Sequence, residues 1–256
     1  MDKTLAGKKV LITGAGQGIG HAIAKSLLEN SAHVIAVSRN EQKLDLLKNS
    51  VQSSNFECWP FDLSKEEGQH LLVEKLNETG YPHIVINSLN VHTPKKRLIN
   101  FSKKELSENF TINMDHIFLI MEKTVQFQRA EKYGRWIGIS SIAAHMSMPG
   151  QSLYAAQKLM MESFFMNLAV EEGKYGITSN IVCPGFIQTP SVVERMTDEM
   201  LEKLSSANVL KRAGTPEEVA AGVTFFAMPA SSYITGVVLP VSGGTNLAWH
   251  YARAVK

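Results

Sequence analysis

"KKVLITGAGQGIG" (residues 8–20) passes from an apolar run into a cluster of glycines and out into a helical repeat. Residues 8–14 are apolar on both faces, the pattern of a strand covered on both sides in a parallel sheet. Gly14, Gly18 and Gly20 follow, with Gly16 extra, and Ile19, Ile23 and Leu27 then recur at helical spacing. A strict G-x-G-x-x-G fails, because Ile19 stands where its third glycine belongs. Glycines at a strand-to-helix junction let the backbone turn sharply and approach a pyrophosphate, and the helix N-terminus offers free N–H groups and its dipole to the anion. A flexible loop has the same composition; the position between strand and helix is what favours the phosphate.

The alternation continues along the chain. Short apolar runs at 33–38, 56–60, 83–87, 134–141, 177–183 and 236–244 read as further strands, with helical stretches between most of them. Ser64 is a plausible N-cap for the third helix. Seven such strands alternating with helices imply an α/β architecture: one doubly wound, Rossmann-like domain over 1–256, with helices on both faces of a parallel sheet. No Pro/Gly/Ser-rich linker or internal repeat divides it.

Bulk properties exclude several classes. At 256 residues and 44% hydrophobic content the chain can bury a large core. A formal charge of +2 gives no nucleic-acid footprint and no polybasic membrane patch. Two cysteines, Cys58 and Cys183, make no disulfide framework and suit a reducing cytosol. There is no apolar run long enough to span a membrane and no signal-like N-terminus. These features are those of a cytoplasmic protein.

The second strand ends at Ser38 and Arg39, and Arg39 follows Gly20 by 19 residues. An acidic residue near this point binds the ribose diol of NAD, whereas a basic one accommodates the 2′-phosphate of NADP. Ser38 can also donate to that phosphate. A solvated surface arginine would look the same.

"LYAAQKLMM" (153–161) sets a phenol and an ammonium one helical turn apart. A tyrosine ordinarily titrates near 10, and a neighbouring ammonium stabilises its phenolate. Bringing it from about 10 to about 7 takes roughly 4 kcal/mol. Such pairs are common in helices, but here Ser141 ends a strand 13 residues before Tyr154.

"TGAGQGIG", "INMD" with Asn113, "ISS" with Ser141, "YAAQK" and "CPGFIQT" together resemble the short-chain dehydrogenase/reductase family in its compact form, over about residues 5–246. The resemblance implies that Tyr154 gives a proton to a substrate carbonyl oxygen and that Lys158 is its partner and a cofactor-ribose ligand. Ser141 is implied to orient the carbonyl, and Asn113 to hold a relay water. Gly14, Gly18, Ile19 and Gly20 are the implied pyrophosphate turn. Asp62 and Leu63 are implied at the adenine, Asn87 at the adenosine side, and Pro184, Gly185, Ile187 and Thr189 around the nicotinamide. No metal is expected. The family usually has Asn-Asn-Ala-Gly after the fourth strand; here Asn87, Ser88, Leu89 and Asn90 stand there. Asn90 is expected to take the left-handed backbone of the replaced glycine, and Leu89 to change the packing beneath the cofactor.

Residues 142–153 link Ser141 to Tyr154, and His145, Met146, Met148 and Gln151, with Phe186, are the expected substrate pocket. His145 is read as packing or facing solvent, and Cys183 as buried and inert. Residues 186–208 resemble the family's variable lid: Val192, Val193, Met196, Met200, Leu201 and Leu204 recur at helical spacing, as in an amphipathic cover. Apolar residues surround the helices near 117–127 and 159–170, so a partner subunit is expected, in a homodimer or homotetramer. Trp249 and Tyr251 in the tail suggest a second interface.

The appearance is closest to the 3-oxoacyl carrier-protein reductase-like branch. The expected activity is NADPH-dependent reduction of a ketone or 3-oxoacyl thioester, NADP(H) being preferred over NAD(H). An acyl carrier protein is a candidate partner, with Lys132 and Tyr175 at the branch's docking positions. The alternatives are an alcohol, sugar or steroid dehydrogenase of the same family, and a non-catalytic nucleotide-binding regulator.

Overall fold

The computed structural model describes residues 4–91 and 93–247. Trp249 and Tyr251 lie outside them. Seven strands form one parallel sheet: β1 (Lys9–Thr13), β2 (His33–Val37), β3 (Phe56–Trp59), β4 (Ile84–Asn87), β5 (Gly134–Ile139), β6 (Ile177–Pro184) and β7 (Val238–Val241). Their order is β3-β2-β1-β4-β5-β6-β7, so the direction of winding reverses between β1 and β4. Helices α1 (Gly18–Glu29), α2 (Glu41–Val51), α3 (Glu66–Thr79), α4 (Lys103–Glu131), α5 (Ser152–Glu172) and α8 (Pro216–Ala227) connect or flank the strands. Two short helices, α6 (Pro190–Val193) and α7 (Asp198–Ser205), follow β6.

The two-residue period of each strand builds a core on either side of the sheet. Val10 and Ile12 of β1 face Ile23 and Leu27 of α1 and Val219, Val223 and Phe226 of α8. Leu11, between them in sequence, faces the opposite core of Leu72 and Leu76 from α3, Ile117 and Ile120 from α4, and Phe165 from α5. Burying one such side chain contributes about 1.5–3 kcal/mol. Two cores require strands covered on both faces, which is why the runs show little alternation, and the polar residues within β6, Thr178, Ser179 and Asn180, are buried too.

One local expectation fails, and one segment divides. The third helix starts at Glu66 with Lys65 as its N-cap, because the Ser64 hydroxyl instead donates to Asp62 Oδ1 at 2.6 Å. The stretch 186–208 is not one amphipathic helix. It breaks between α6 and α7, and Val193 and Met200 are 43% and 52% exposed. The apolar spacing there survives, with Val192 and Met196 half-buried at the cleft.

Candidate active site

At the β1–β4 reversal the carboxyl ends of the strands open into a cleft of roughly 640 Å³. That lies within the range of about 300–1,000 Å³ typical of ligand sites, and the place is where open α/β sheets bind ligands. Its floor begins at the glycine turn. Gly14 has φ +74°, and a Cβ there would meet the Leu89 backbone at 2.8 Å. At Gly20 a Cβ would meet the Gly14 carbonyl oxygen at 2.3 Å, so α1 can start this close to β1 only with glycine. Gln17 caps α1 without any side-chain hydrogen bond, and the first turn has no acidic residue. The helix therefore presents open N–H groups and no opposing charge to an anion.

Cations flank this turn. Ser38 and Arg39 line the cleft as expected, and so does Lys43 from α2, whose ammonium donates to Gln17 Oε1. Lys43 was not anticipated. Its signal was its position one turn beyond Arg39, on the helix that β2 feeds. Asp62 and Leu63 line the adenosine end, and Ile19, Gly18, Pro184, Gly185, Ile187 and Thr189 the rest of the wall. A glycine cradle, an uncapped helix start and two basic side chains together suit a phosphorylated dinucleotide.

Ser141, Tyr154 and Lys158 meet in the same cleft. Ser141 caps a short 3-10 turn at Ile142–Ala144 by accepting the Ala143 N–H at 3.2 Å, and it shares the cleft wall with the Tyr154 phenol. The Lys158 ammonium is fully buried, donates to the Ile139 carbonyl at 2.9 Å and stands 5.9 Å from the Tyr154 ring centre. Burial pulls Lys158 down to about 8, with the Glu162 carboxylate acting against it. Burial likewise pushes the Tyr154 phenol above its ordinary value, and the Ser141 side chain opposes that. The expected lowering of Tyr154 is thus not present in the chain by itself: desolvation outweighs the attractions.

Other residues fall elsewhere. Asn87 does not line the cleft. Its Oδ1 accepts from Thr13 Oγ1 and pairs with His116 Nε2, both at 2.8 Å, inside the sheet–helix core. Burial takes His116 down to about 4, so that imidazole is neutral. Asn113 sits below the cleft wall, accepting the Val91 N–H at 2.8 Å and donating to the Asn109 carbonyl at 2.9 Å. Asn90 does not adopt left-handed backbone; its side chain accepts from Gln157 Nε2 at 2.8 Å. Leu89 lines the cleft, held by its N–H to Thr13 Oγ1 at 3.3 Å.

Of the expected substrate pocket, only Phe186 lines the cleft. The segment 145–151 turns away after the 3-10 turn: Met148 is exposed, Gln151 becomes the N-cap of α5, and Met146 stays half-buried beside them. His145 swings back to pair with Glu162 at 3.0 Å. The cleft is walled instead by Val91, Ser191, Val192, Arg195 and Met196. Glu162 was also missed, although it lies two helical turns after Tyr154 on the same face, the one carboxylate within an apolar run.

Lys132 and Tyr175 are not at the cleft mouth. Lys132 ends α4, just before β5 begins, whereas Ser141 follows its other end. The six residues of β5 put about 20 Å between those edges, at roughly 3.3 Å per residue.

A family model described as enoyl-(acyl carrier protein) reductase matches residues 14–246. A 3-oxoacyl-acyl-carrier-protein reductase of Rickettsia felis is 36% identical over 245 residues, covering 94% of this chain and 97% of its own. A tropinone reductase homolog of Arabidopsis thaliana is 32% identical over 250 residues, covering 94% and 93%. Among solved structures, ElxO with NADP bound superposes with a TM-score of 0.84 at 26% identity, covering 94% of this chain and 99% of that one. Among the described residues, no helix is long and apolar enough to cross a membrane.

Proposed function

The chain belongs to the short-chain dehydrogenase/reductase family and is an NAD(P)(H)-dependent oxidoreductase, and on that premise we propose that it reduces a ketone or 3-oxoacyl thioester with NADPH. The observation that carries this reading is that Ser141, Tyr154 and Lys158 line one cleft together with the glycine turn. The bound dinucleotide supplies the hydride. Ser141 orients the carbonyl oxygen, and the Tyr154 hydroxyl gives that oxygen its proton. Lys158 stabilises the phenolate left behind and binds the ribose, and Asn113 braces the Val91 wall from beneath. Gly14, Gly18, Ile19 and Gly20 cradle the pyrophosphate, Arg39, Ser38 and Lys43 the 2′-phosphate, and Pro184 to Thr189 the nicotinamide end.

The thioester reading draws on the relatives named as 3-oxoacyl reductases and on the apolar wall of Phe186, Val192 and Met196. Acyl carrier protein remains the natural form of such a substrate, although this chain's cleft rim offers Arg195 rather than Lys132 as its cation. The test is NADPH consumption over a panel of acetoacetyl thioesters, simple ketones, sugars and steroids. Thioesters should rank first in kcat/KM; a sugar or steroid ranking first overturns the substrate class.

We also propose that the segment 186–208 closes over substrate and that α4 and α5 pair with those of a second copy. Phe118 and Leu159 are 49% and 44% exposed, and Phe118 packs edge-on against Phe164 at 4.8 Å between ring centres. Water-facing aromatics on two adjacent helices favour burial against a like surface. Light scattering should report a dimer or tetramer, and Phe118→Lys should shift it to the 28.3 kDa monomer. A monomeric wild type at micromolar concentration contradicts the pairing.

A further inference from the structure

Behind Tyr154 and Lys158, three elements each contribute one ligand-type side chain to a single point. His145 comes from the loop after β5, Glu162 from α5 and Cys183 from the end of β6. One ligand atom of each, the imidazole nitrogen, a carboxylate oxygen and the thiol sulfur, lies within 4.8 Å of the other two. His145 Nε2 is already 3.0 Å from Glu162 Oε2. A tetrahedral zinc ion, with bonds of about 2.0–2.3 Å, needs its ligand atoms roughly 3.2–3.8 Å apart. The nitrogen and oxygen thus stand near bonding separation, and the thiol has at most about 1 Å to close.

We propose that His145, Glu162 and Cys183 form an inhibitory binding site for zinc or a similar borderline-soft divalent cation. The donor set is one sulfur, one nitrogen and one oxygen, which selects zinc or cobalt over magnesium or calcium. Ser140 supplies an outer partner, its hydroxyl donating to Glu162 Oε1. Entry is from the His145 side, where that side chain is 46% exposed while Glu162 is 7% exposed. On binding, three bonds form to the cation, the imidazole keeps its lone pair on Nε2 for the metal, and the thiol proton leaves to buffer. Burial and the Glu162 carboxylate hold that thiol up at about 12, and a dication at bonding distance removes such a proton outright. The charge of a carboxylate and one thiolate offsets that of the cation.

Inhibition follows from the neighbours. Glu162 and Cys183 both act electrostatically on Lys158, and Cys183 acts on Tyr154 as well. A cation that neutralises the Glu162 carboxylate withdraws the support it gives to the Lys158 ammonium. It also ties together the loop, helix and strand that frame Tyr154. This half of the proposal rests on Tyr154 and Lys158 carrying the reaction.

The experiment uses the full chain, freed of any affinity tag and treated with chelator, titrated with cobalt(II) and then zinc(II). Expected are one cobalt per chain and a thiolate-to-cobalt charge-transfer band in the near ultraviolet that zinc displaces. Cys183→Ser should abolish the band, and Cys58→Ser should leave it. Ser140→Ala should weaken binding by about 10–100-fold, as loss of an outer partner does. His145→Ala changes an exposed loop residue, so it keeps the test open if Cys183→Ser fails to fold. Bound zinc should lower turnover in wild type and not in His145→Ala. No metal uptake, a band that survives Cys183→Ser or that depends on Cys58, or a zinc-loaded wild type as active as the chelated chain overturns the proposal. Binding is read by absorbance on the chain alone, so its failure is distinguishable from an error in the assigned reaction.

Discussion

Replacing Tyr154 by Phe lowers turnover by at least about a hundredfold, the scale of a lost general acid, while leaving dinucleotide binding nearly unchanged. The substitution deletes one oxygen from a half-buried ring and no core contact, so folding is preserved. What it removes is the hydroxyl that shares the cleft wall with Ser141 and Lys158. Burial raises this phenol above its ordinary value in the chain itself, so at neutral pH it is protonated and ready to donate. The sign of the pH dependence follows. Reduction, which uses the protonated phenol, should hold steady through neutral pH and fall as alkaline pH removes the proton. Oxidation of the corresponding alcohol, which needs the phenolate, should rise over the same range. Steady-state rates in both directions, with cofactor binding followed by nucleotide fluorescence, check both statements. A Phe variant with near-normal turnover, or one that loses cofactor, removes Tyr154 from its assigned role.

The strands are legible in the sequence because each carries a run of apolar residues on both faces, as β1, β2 and β4 show most clearly. Their ends came within about two residues, since strand boundaries are set by loop hydrogen bonds rather than by composition. That Ser141, Tyr154 and Lys158 would share one cleft is legible because a strand end and one helical turn are short-range relations, and because the motifs that hold them resemble one family. The misses are of another kind. Asn87 was placed at the cofactor, yet His116, 29 residues along the chain, claims its carbonyl oxygen. His145 was placed in the pocket, yet a buried carboxylate 17 residues away turns it aside. In both cases a buried polar group found a partner distant in sequence, because leaving it unpaired costs about 1–3 kcal/mol. Periodicity has no access to that choice. The segment 186–208 is a different case: its apolar spacing is real, and Val192 and Met196 turn to the cleft while Val193 and Met200 stay exposed.

Cofactor choice is the reading that the structure alters most, and it should tilt further toward NADPH than Arg39 alone implies. A single charge-assisted contact of roughly 1.5–3 kcal/mol gives about a tenfold to hundredfold preference. From the glycine turn, Gln17 promised no second clamp. The structure brings Lys43 to that place from α2, its ammonium on Gln17 and facing the same cleft as Arg39. A 2′-phosphate would meet a planar guanidinium that can grip two oxygens and a point charge beside it. A ribose diol would meet two cations where an acidic residue at the end of β2 would otherwise accept its hydroxyl protons. Arg39→Asp reverses this arrangement by placing a carboxylate against the phosphate and beside the diol. Lys43→Ala should reduce the preference without reversing it, because Arg39 remains. Lys43 is half-buried at the cleft wall and belongs to neither hydrophobic core, so stability is not the variable. The measurement is kcat/KM with NADPH and with NADH in wild type and in each variant. Wild type should favour NADPH by at least about tenfold, Lys43→Ala by less, and Arg39→Asp should favour NADH. A wild type that prefers NADH, or a ratio indifferent to both substitutions, makes Arg39 and Lys43 solvated surface charges and leaves the choice to the glycine turn, whose backbone contacts see only the pyrophosphate common to both cofactors.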